Sequence, residues 1–497
     1  MFSVLFAMTV LSVGPVPGYW GELKPGPHPV GFTQFWITDS TRRLPKGQEF
    51  GLTHRPVLVN LWYPARATSR GAMGYDDYFE GAIRAARGSG FERYASALIR
   101  YQRNTAWREL ARVERDSTDP ALSARVEALF RTNALARRDE PRARLNGKVI
   151  VYTGGSGSSM EDNVVLCEYL ASLGYTVVGS AFPSEDNTSF ATNVSDRSRP
   201  RDIARIMMEL PRRGFPVTHV TAIGHSAGAQ ALQWLSADPS APVDAVLSLD
   251  TTQDYSMLSD RSWVYYTDEL IRNRRNVRMP ILFVADPEAL FELADSLGDS
   301  RRTLLTVPGL DHNDFISQGH LSRQLLAGGP DADTARQHTA ARNYRALVEY
   351  AAAWIAAVQA EAKLPVPPAP LAMTLVPAGE KFPSLPSDTP RSAREVRHLF
   401  AVAEAPEFVR RALLARNRDQ SIASNGVVMM ILVDAIRRGH ADRARAAYRE
   451  LIARDTTTRA ILDRMEQRAK LFESIGASDI GADWRALRQA LIEPHRE

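Results

Sequence analysis

The stretch VTHVTAIGHSAGAQALQWL, residues 217–235, decides how the rest of the chain is read. A short apolar run, THVTAI (218–223), leads into Gly224-His225-Ser226-Ala227-Gly228, and apolar residues at helical spacing follow. The pattern predicts a strand, a tight corner and a helix. In a Gly-x-Ser-x-Gly corner of this kind the serine sits on a strained turn with its hydroxyl exposed. The flanking glycines let neighbouring backbone approach with no Cβ in the way. A bare match to the pattern arises easily by chance. The strand before it and the helix after it make Ser226 a candidate nucleophile rather than a structural turn.

Working outward, apolar runs alternate with helical patterns from residue 148. KVIVYT (148–153) precedes a glycine loop and the helical pattern NVVLCEYLASLGY (163–175). YTVVGSA (175–181) precedes a polar loop and PRDIARIMMEL (200–210). VDAVLSL (243–249), MPILFVA (279–285) and TLLTV (303–307) follow, and the helical pattern of 340–360 closes the region. Strands alternating with helices predict a mostly parallel sheet covered on both faces. Ahead of it, 30–38 and 56–63 read as a leading antiparallel pair, and 75–145 as a helical insertion. The expected catalytic domain is 26–362. Residues 363–390 are dense in proline, exclude helix and central strand, and read as an extended linker. Residues 391–497 read as an all-helical unit whose RRGHAD junction (437–442) makes a helical hairpin. It is similar to a tetratricopeptide unit but lacks a 34-residue period.

Composition sets limits. At 497 residues the chain is long enough for two or three units. It is 44% apolar and 24% charged, with 61 basic against 57 acidic residues, as in ordinary globular proteins. The basic residues are interspersed with carboxylates, so no nucleic-acid footprint emerges. The single cysteine, Cys167, excludes an intrachain disulfide and a cysteine zinc cluster, and its place on an apolar helical face reads as buried and inert. The first twenty residues carry an apolar run of signal-peptide length without a basic start, so 1–25 reads as a signal or N-terminal extension, with export to the periplasm or medium ahead of a cytoplasmic location. No segment reads as a transmembrane span of the mature chain.

A serine hydroxyl needs a general base, and the base needs an acid to orient it. In this arrangement both follow the serine in the chain. His312, in PGLDHNDF after the last strand, fits the base better than His320. His225 lies beside the serine and could line a substrate site. For the acid, Asp250 ends the strand after the nucleophile's helix and Asp286 ends the next one. Spacing leaves the two even. Two backbone N–H groups should face the developing oxyanion: that of Ala227, next after the serine, and that of Ser156 in the loop TGGSGSSM (153–160). Read instead as a dinucleotide-binding loop, this stretch has Met160 in place of the third glycine, and the next strand ends without a ribose-binding acid. Tyr255 and Trp263, in an aromatic stretch at 254–270, are candidates for an apolar acyl pocket or for ordinary packing.

These residues resemble the branch of the α/β-hydrolases that holds the platelet-activating factor acetylhydrolases and relatives of the dienelactone hydrolases. The resemblance spans about 26–320 and rests on GPHPVGFTQFWITDSTR, RPVLVNLWYPA, YDDYFEGA, VIVYTGGSGSS, IGHSAGAQAL, AVLSLDTT, MPILFVADPEALF and GLDHNDF, in that order. It implies an α/β-hydrolase fold and favours Asp250 over Asp286 as the acid. It places the oxyanion donor one residue past a His-Gly pair. Here Gly154-Gly155 stands in that place, so the carried-over donor is Ser156. Dienelactone hydrolases proper use cysteine where this chain has Ser226.

The expected activity is therefore that of a serine esterase acting on short-chain or phospholipid-type acyl esters, with no metal and no organic cofactor. An amidase or peptidase with the same triad is the nearest alternative. A binding protein acting through the C-terminal helices is another. Those helices would either pack on the catalytic domain or hold a protein partner.

Overall fold

The computed structural model describes residues 16–380 apart from 47–48, 67, 69–72, 112–119, 156, 185–189, 191–197, 242, 251–272, 286–296, 298, 311 and 327–333. It also describes much of 439–493 and isolated residues just before it. The chain divides into two compact units. One holds residues 1–250, 275–286 and 299–378, and the other holds 251–274, 287–298 and 379–497.

Among the described residues, the first unit is built on a sheet of ten strands: β1 (Val30–Arg43), β2 (His54–Pro64), β3 (Arg137–Arg138), β4 (Lys148–Thr153), β5 (Thr176–Gly179), β6 (His219–His225), β7 (Ala245–Leu249), β8 (Ile281–Ala285), β9 (Arg302–Thr306) and β10 (Ala372–Val376). Their order is β10-β9-β8-β7-β6-β4-β5-β2-β1-β3. The six adjacent strands β9, β8, β7, β6, β4 and β5 run parallel to one another, β10 is antiparallel to β9, β2 is antiparallel to both β5 and β1, and β3 pairs parallel with β1. The central strands are buried on both faces, which is why they read as continuous apolar runs such as AVLSL and ILFVA. β1 alternates more, and its pairing with β2 shifts at Asp39/Arg43.

Helices α1 (Asp77–Ala85), α2 (Glu92–Ala111) and α3 (Pro120–Phe130) fill the stretch between β2 and β4. α4 (Val164–Ser172), α5 (Ser198–Glu209), α6 (Ala227–Ser236), α7 (Ser317–Leu326) and α8 (Thr334–Gln359) follow. α4 carries Glu168, fully buried, and this carboxylate gathers the unit's beginning and the inserted helices. It accepts from Tyr19 Oη at 3.1 Å, Trp20 Nε1 at 2.8 Å, Tyr78 Oη at 2.7 Å and the Ala136 N–H at 2.9 Å. Tyr19, Trp20 and Leu23 are core residues. Residues from Tyr19 onward, ahead of the expected start at 26, are thus part of this unit's core, because two amphipathic aromatics dock their polar ends on one buried acid. The apolar run of 1–15 lies outside the described residues.

The proline-dense stretch also differs from expectation. Residues 372–376 pair with β9, from Ala372↔Thr306 to Val376↔Arg302, and extend the sheet by an edge strand. Between Pro370 and Pro377 the run LAMTLV is long enough for a strand, and the prolines stand outside the paired residues, where no ladder N–H is needed.

In the second unit, helices Ala441–Arg454 and Ser478–Ile492 pack through Ala444, Ala447, Tyr448, Trp484, Leu487 and Leu491. Arg445 Nη1 donates to the carbonyls of Ala490 at 2.9 Å and Glu493 at 2.8 Å, closing the end of the last helix. Most of the expected first helix of the RRGHAD hairpin lies outside the described residues. Among the described residues, no helix is long and apolar enough to cross a membrane.

Candidate active site

The chain runs from β4 to β5 on one side and then returns to lay β6 against the other side of β4. The carboxyl ends of β4 and β6 thus flank a topological switch point, where open α/β sheets leave a crevice. The register puts Thr153 beside Gly224, and His225 beside Leu249. The turns after β4, β6 and β7 therefore emerge side by side.

Ser226 stands at the end of β6 with φ 52° and ψ −123°, and α6 begins at the next residue. Such a conformation costs a non-glycine residue about 1–3 kcal/mol, so the surroundings must hold it. They do so in two ways. The Ser226 N–H donates to Leu249 O at 3.1 Å. The start of α6 is pressed into the sheet at two glycines. A Cβ on Gly224 would lie 2.4 Å from Ala229 N, and one on Gly228 only 2.1 Å from Thr153 O. Both obstacles are backbone, so neither glycine can be replaced without moving the corner.

Asp250 follows β7, also at positive φ (47°), and its N–H donates to Val284 O at 2.7 Å. That bond carries the ladder one residue further and aims the side chain beyond the strand ends. His312 opens a 3-10 turn, His312–Phe315, between β9 and α7. The buried pair of Asp314 with Arg323, with Nε at 2.6 Å from Oδ1, fixes this turn on α7. Gly319 allows the close approach, since a Cβ there would lie 1.9 Å from Asn313 O.

The structure brings His312 and Asp250 together: Nδ1 donates to Asp250 Oδ2. Burial pulls the His312 imidazole down, but the hydrogen bond and charge of Asp250 outweigh it and hold the ring above its ordinary value. Nε2 is thereby left as the free basic nitrogen. The Ser226 hydroxyl makes no hydrogen bond to His312 among the described residues. Such contacts in unliganded sites are often long and tighten when substrate binds.

His225 is placed differently from a substrate-lining residue. It is 2% exposed, its Nε2 donates to the His312 carbonyl at 2.9 Å, and its ring lies against that of His312 with centroids 4.6 Å apart. Burial, then the neighbouring His312, pushes its titration well below the ordinary value, so the ring stays neutral. It braces the elbow against the histidine turn because the residue before the serine is still on β6 and points into the protein. His225, Asp250 and His312 each offer one ligand atom within 4.8 Å of the others, a set a metal ion could use.

The loop after β4 reaches over the serine: a Cβ on Gly155 would lie 3.3 Å from Ser226 Cβ and 3.4 Å from His225 Nδ1. Ala227 is buried as the first residue of α6, where backbone N–H groups lack helical partners. Ser156, Asp286, Tyr255 and Trp263 lie outside the described residues. His320 sits on α7, stacked on Tyr344, with its titration drawn down to about 4 by burial, and it does not meet Asp250. Cys167 is buried, and burial together with the carboxylates of Asp162, Glu168 and Glu161 pushes its thiol up.

Three side chains that hold the β4 loop went unread in the sequence: Gln102, Asp162 and Arg199. Asp162 had a signal, the MEDN of 160–163. Acids just before a helix are so often ordinary partners of its N-terminus that the signal points nowhere in particular.

A mostly parallel sheet, with a strained serine corner after a central strand and an acid and a histidine after later strands, is the arrangement of the α/β-hydrolase fold. No protein-family model matches the chain, and no curated protein matches it. Solved structures similar to it include a ferulic acid esterase from Streptomyces cinnamoneus, with 18% identity, 70% of this chain and 96% of that one covered, and a TM-score of 0.46. An acylaminoacyl peptidase from Pyrococcus horikoshii shares 16% identity over 37% of this chain and 36% of its own, with a TM-score of 0.28. Est1E from Butyrivibrio proteoclasticus shares 13% identity over 37% of this chain and 87% of its own, also at 0.28.

Proposed function

We propose that the chain is a serine hydrolase of carboxylic esters. The observation that carries this reading is the strained Ser226 at the switch point beside the hydrogen-bonded His312–Asp250 pair. Ser226 Oγ attacks the ester carbonyl carbon while its proton passes to His312 Nε2. The tetrahedral intermediate collapses as His312 returns that proton to the leaving alcohol. Water, deprotonated by the same nitrogen, then releases the acid and restores the serine. Asp250 keeps the imidazole in the tautomer with Nδ1 protonated and steadies its charge. The N–H groups of Ala227 and Ser156 receive the oxyanion.

The resemblance to the acetylhydrolase branch favours short or oxidised acyl chains, of phospholipid type. A series of p-nitrophenyl esters from two to twelve carbons, beside the matching anilides, tests both levels. Ester turnover lost in Ser226→Ala by about 10⁴-fold or more supports the mechanism, and preference for the shortest acyl groups supports the substrate class. Turnover surviving in Ser226→Ala would contradict the mechanism. Faster anilide than ester cleavage would contradict the bond type.

A further inference from the structure

Beneath the loop that arches over Ser226 lies an acid without a counterpart in the mechanism above. Asp162 is fully buried, and its carboxylate is flush against Gly154: a Cβ on that glycine would lie 2.3 Å from Oδ2. Tyr152 Oη donates to Oδ1 at 2.6 Å. Oδ2 is buried with no hydrogen-bond partner among the described residues. The Ser158 hydroxyl and the Gly155 amide both face the carboxylate and favour its charged form.

Other contacts brace the same loop. Arg199, also buried, donates from Nη1 to Thr153 Oγ1 at 2.9 Å and to Gly154 O at 2.8 Å. Gln102 Oε1 accepts the Met160 N–H at 2.9 Å. The backbone of Asp162 reaches further. Its carbonyl accepts from the Gln318 N–H at 2.9 Å and from Ser317 Oγ at 3.1 Å. The Ser317 N–H donates to Asn163 Oδ1 at 3.0 Å. One short segment therefore fixes both the β4 loop and the start of α7, which directly follows the His312 turn.

We infer that Asp162 is a positioning residue whose carboxylate, with Arg199, sets the β4 loop so that its backbone N–H meets the oxyanion formed at Ser226. This rests on the serine-hydrolase reading and deepens it. A carboxylate offers only acceptors to the donors that face it. Asparagine keeps an acceptor for Tyr152 but turns an amide N–H toward the Gly155 N–H, and two donors facing one another move the loop. The displacement is felt in the transition state, where the oxyanion exists, and little in substrate binding.

Ionisation of Asp162 enters as well. Burial raises it, against Tyr152, Ser158, Gly155 and Arg199, to about 6. Glu109 on α2 and the adjoining Glu161 stand nearby, as do Tyr75, Cys167 on α4 and Tyr344 on α8. Both Asp162 and His312 must then lose a proton on the acid limb of kcat/KM.

The test is steady-state kinetics of the full chain and of Asp162→Asn from pH 5 to 9, with short-chain p-nitrophenyl acetate as the probe. The expected result is a kcat lower by roughly 10- to 100-fold, somewhat less than outright loss of an oxyanion donor, with KM within about twofold. The acid limb should fall with two protons in the wild type and one in the variant. Equal kcat in the two proteins, or a loss confined to KM, overturns the inference while leaving the hydrolase reading intact. A folded wild type without turnover overturns both. Should Asp162→Asn fail to fold, Tyr152→Phe frees the carboxylate to rotate, and a several-fold fall in kcat at constant KM is expected; an unchanged kcat there overturns the inference too.

Discussion

At the scale of the residue, two side chains at positive φ, Ser226 and Asp250, mark the ends of adjacent strands, and a histidine from a later turn meets the second of them. Asp250→Asn should lower kcat by about 10⁴-fold, the scale expected when a base is left in the wrong tautomer. Asp286→Asn should be far milder, and the reverse order in a side-by-side assay would reassign the acid. The raised His312 titration sets the direction of the pH dependence. Catalysis needs the imidazole neutral, so the acid limb of kcat/KM should centre above the ordinary imidazole value of 6.5. The stability that the pair confers runs the opposite way: it is complete below 6.5 and fades as pH rises through the folded value. Ser226 and His312 stood out as candidates in the sequence because each lies beside a strand end in a local pattern of its own, whereas spacing left Asp250 even with Asp286 and only the resemblance favoured it. Arg199 and Gln102 reach the β4 loop across long sequence separations, and Asp162 lies just past the loop's end, where no spacing rule tells an inward-facing acid from an outward one.

At the scale of the element, the corner works because β6, α6 and the end of β4 are in backbone contact. Gly228→Ala would place a methyl against Thr153 O, and Gly224→Ala against Ala229 N. Neither neighbour is a side chain that can rotate away. Each substitution should lower the melting temperature and suppress turnover together, measured by thermal denaturation and ester assay. A Gly228→Ala protein with wild-type stability and rate would mean that the packing at this corner is looser than described. The central strands and their helices were readable as apolar runs alternating with helical spacing. β10 was not, because the prolines around it mask a run of only five paired residues, and its partner is an edge that only the assembled sheet defines.

At the scale of the whole molecule, buried ionisable groups pull stability in two directions. His225 and His320 are held below the ordinary imidazole value by burial. Unfolding releases them to bind protons, so stability falls as pH drops below 6.5. Asp162, at about 6, and Glu109, at about 8, are raised chiefly by burial, as are Glu161 and Glu168. They hold protons in the fold that the unfolded chain gives up from about pH 4 upward, so stability falls as pH rises from there toward each folded value and levels off beyond it. Above pH 6.5 the histidines are neutral in both states and Glu109 still loses its proton more readily on unfolding, so the melting temperature should fall between about pH 6.5 and 8, and Glu109→Gln should flatten that fall. A melting temperature that rises across that range would contradict this balance. Nor could this distribution be foreseen along the chain: an acid at the head of a helix reads alike whether it faces water or core.

Everything proposed above depends on Ser226 being the nucleophile. The most direct measurement is to treat the folded full-length protein with a fluorophosphonate probe and map the modified peptide by mass spectrometry, with Ser226→Ala alongside. A single adduct on Ser226 is expected, formed more slowly as pH falls through the His312 titration, and none in the variant. A folded protein that takes up no probe, or carries it on another residue, would contradict that role for Ser226.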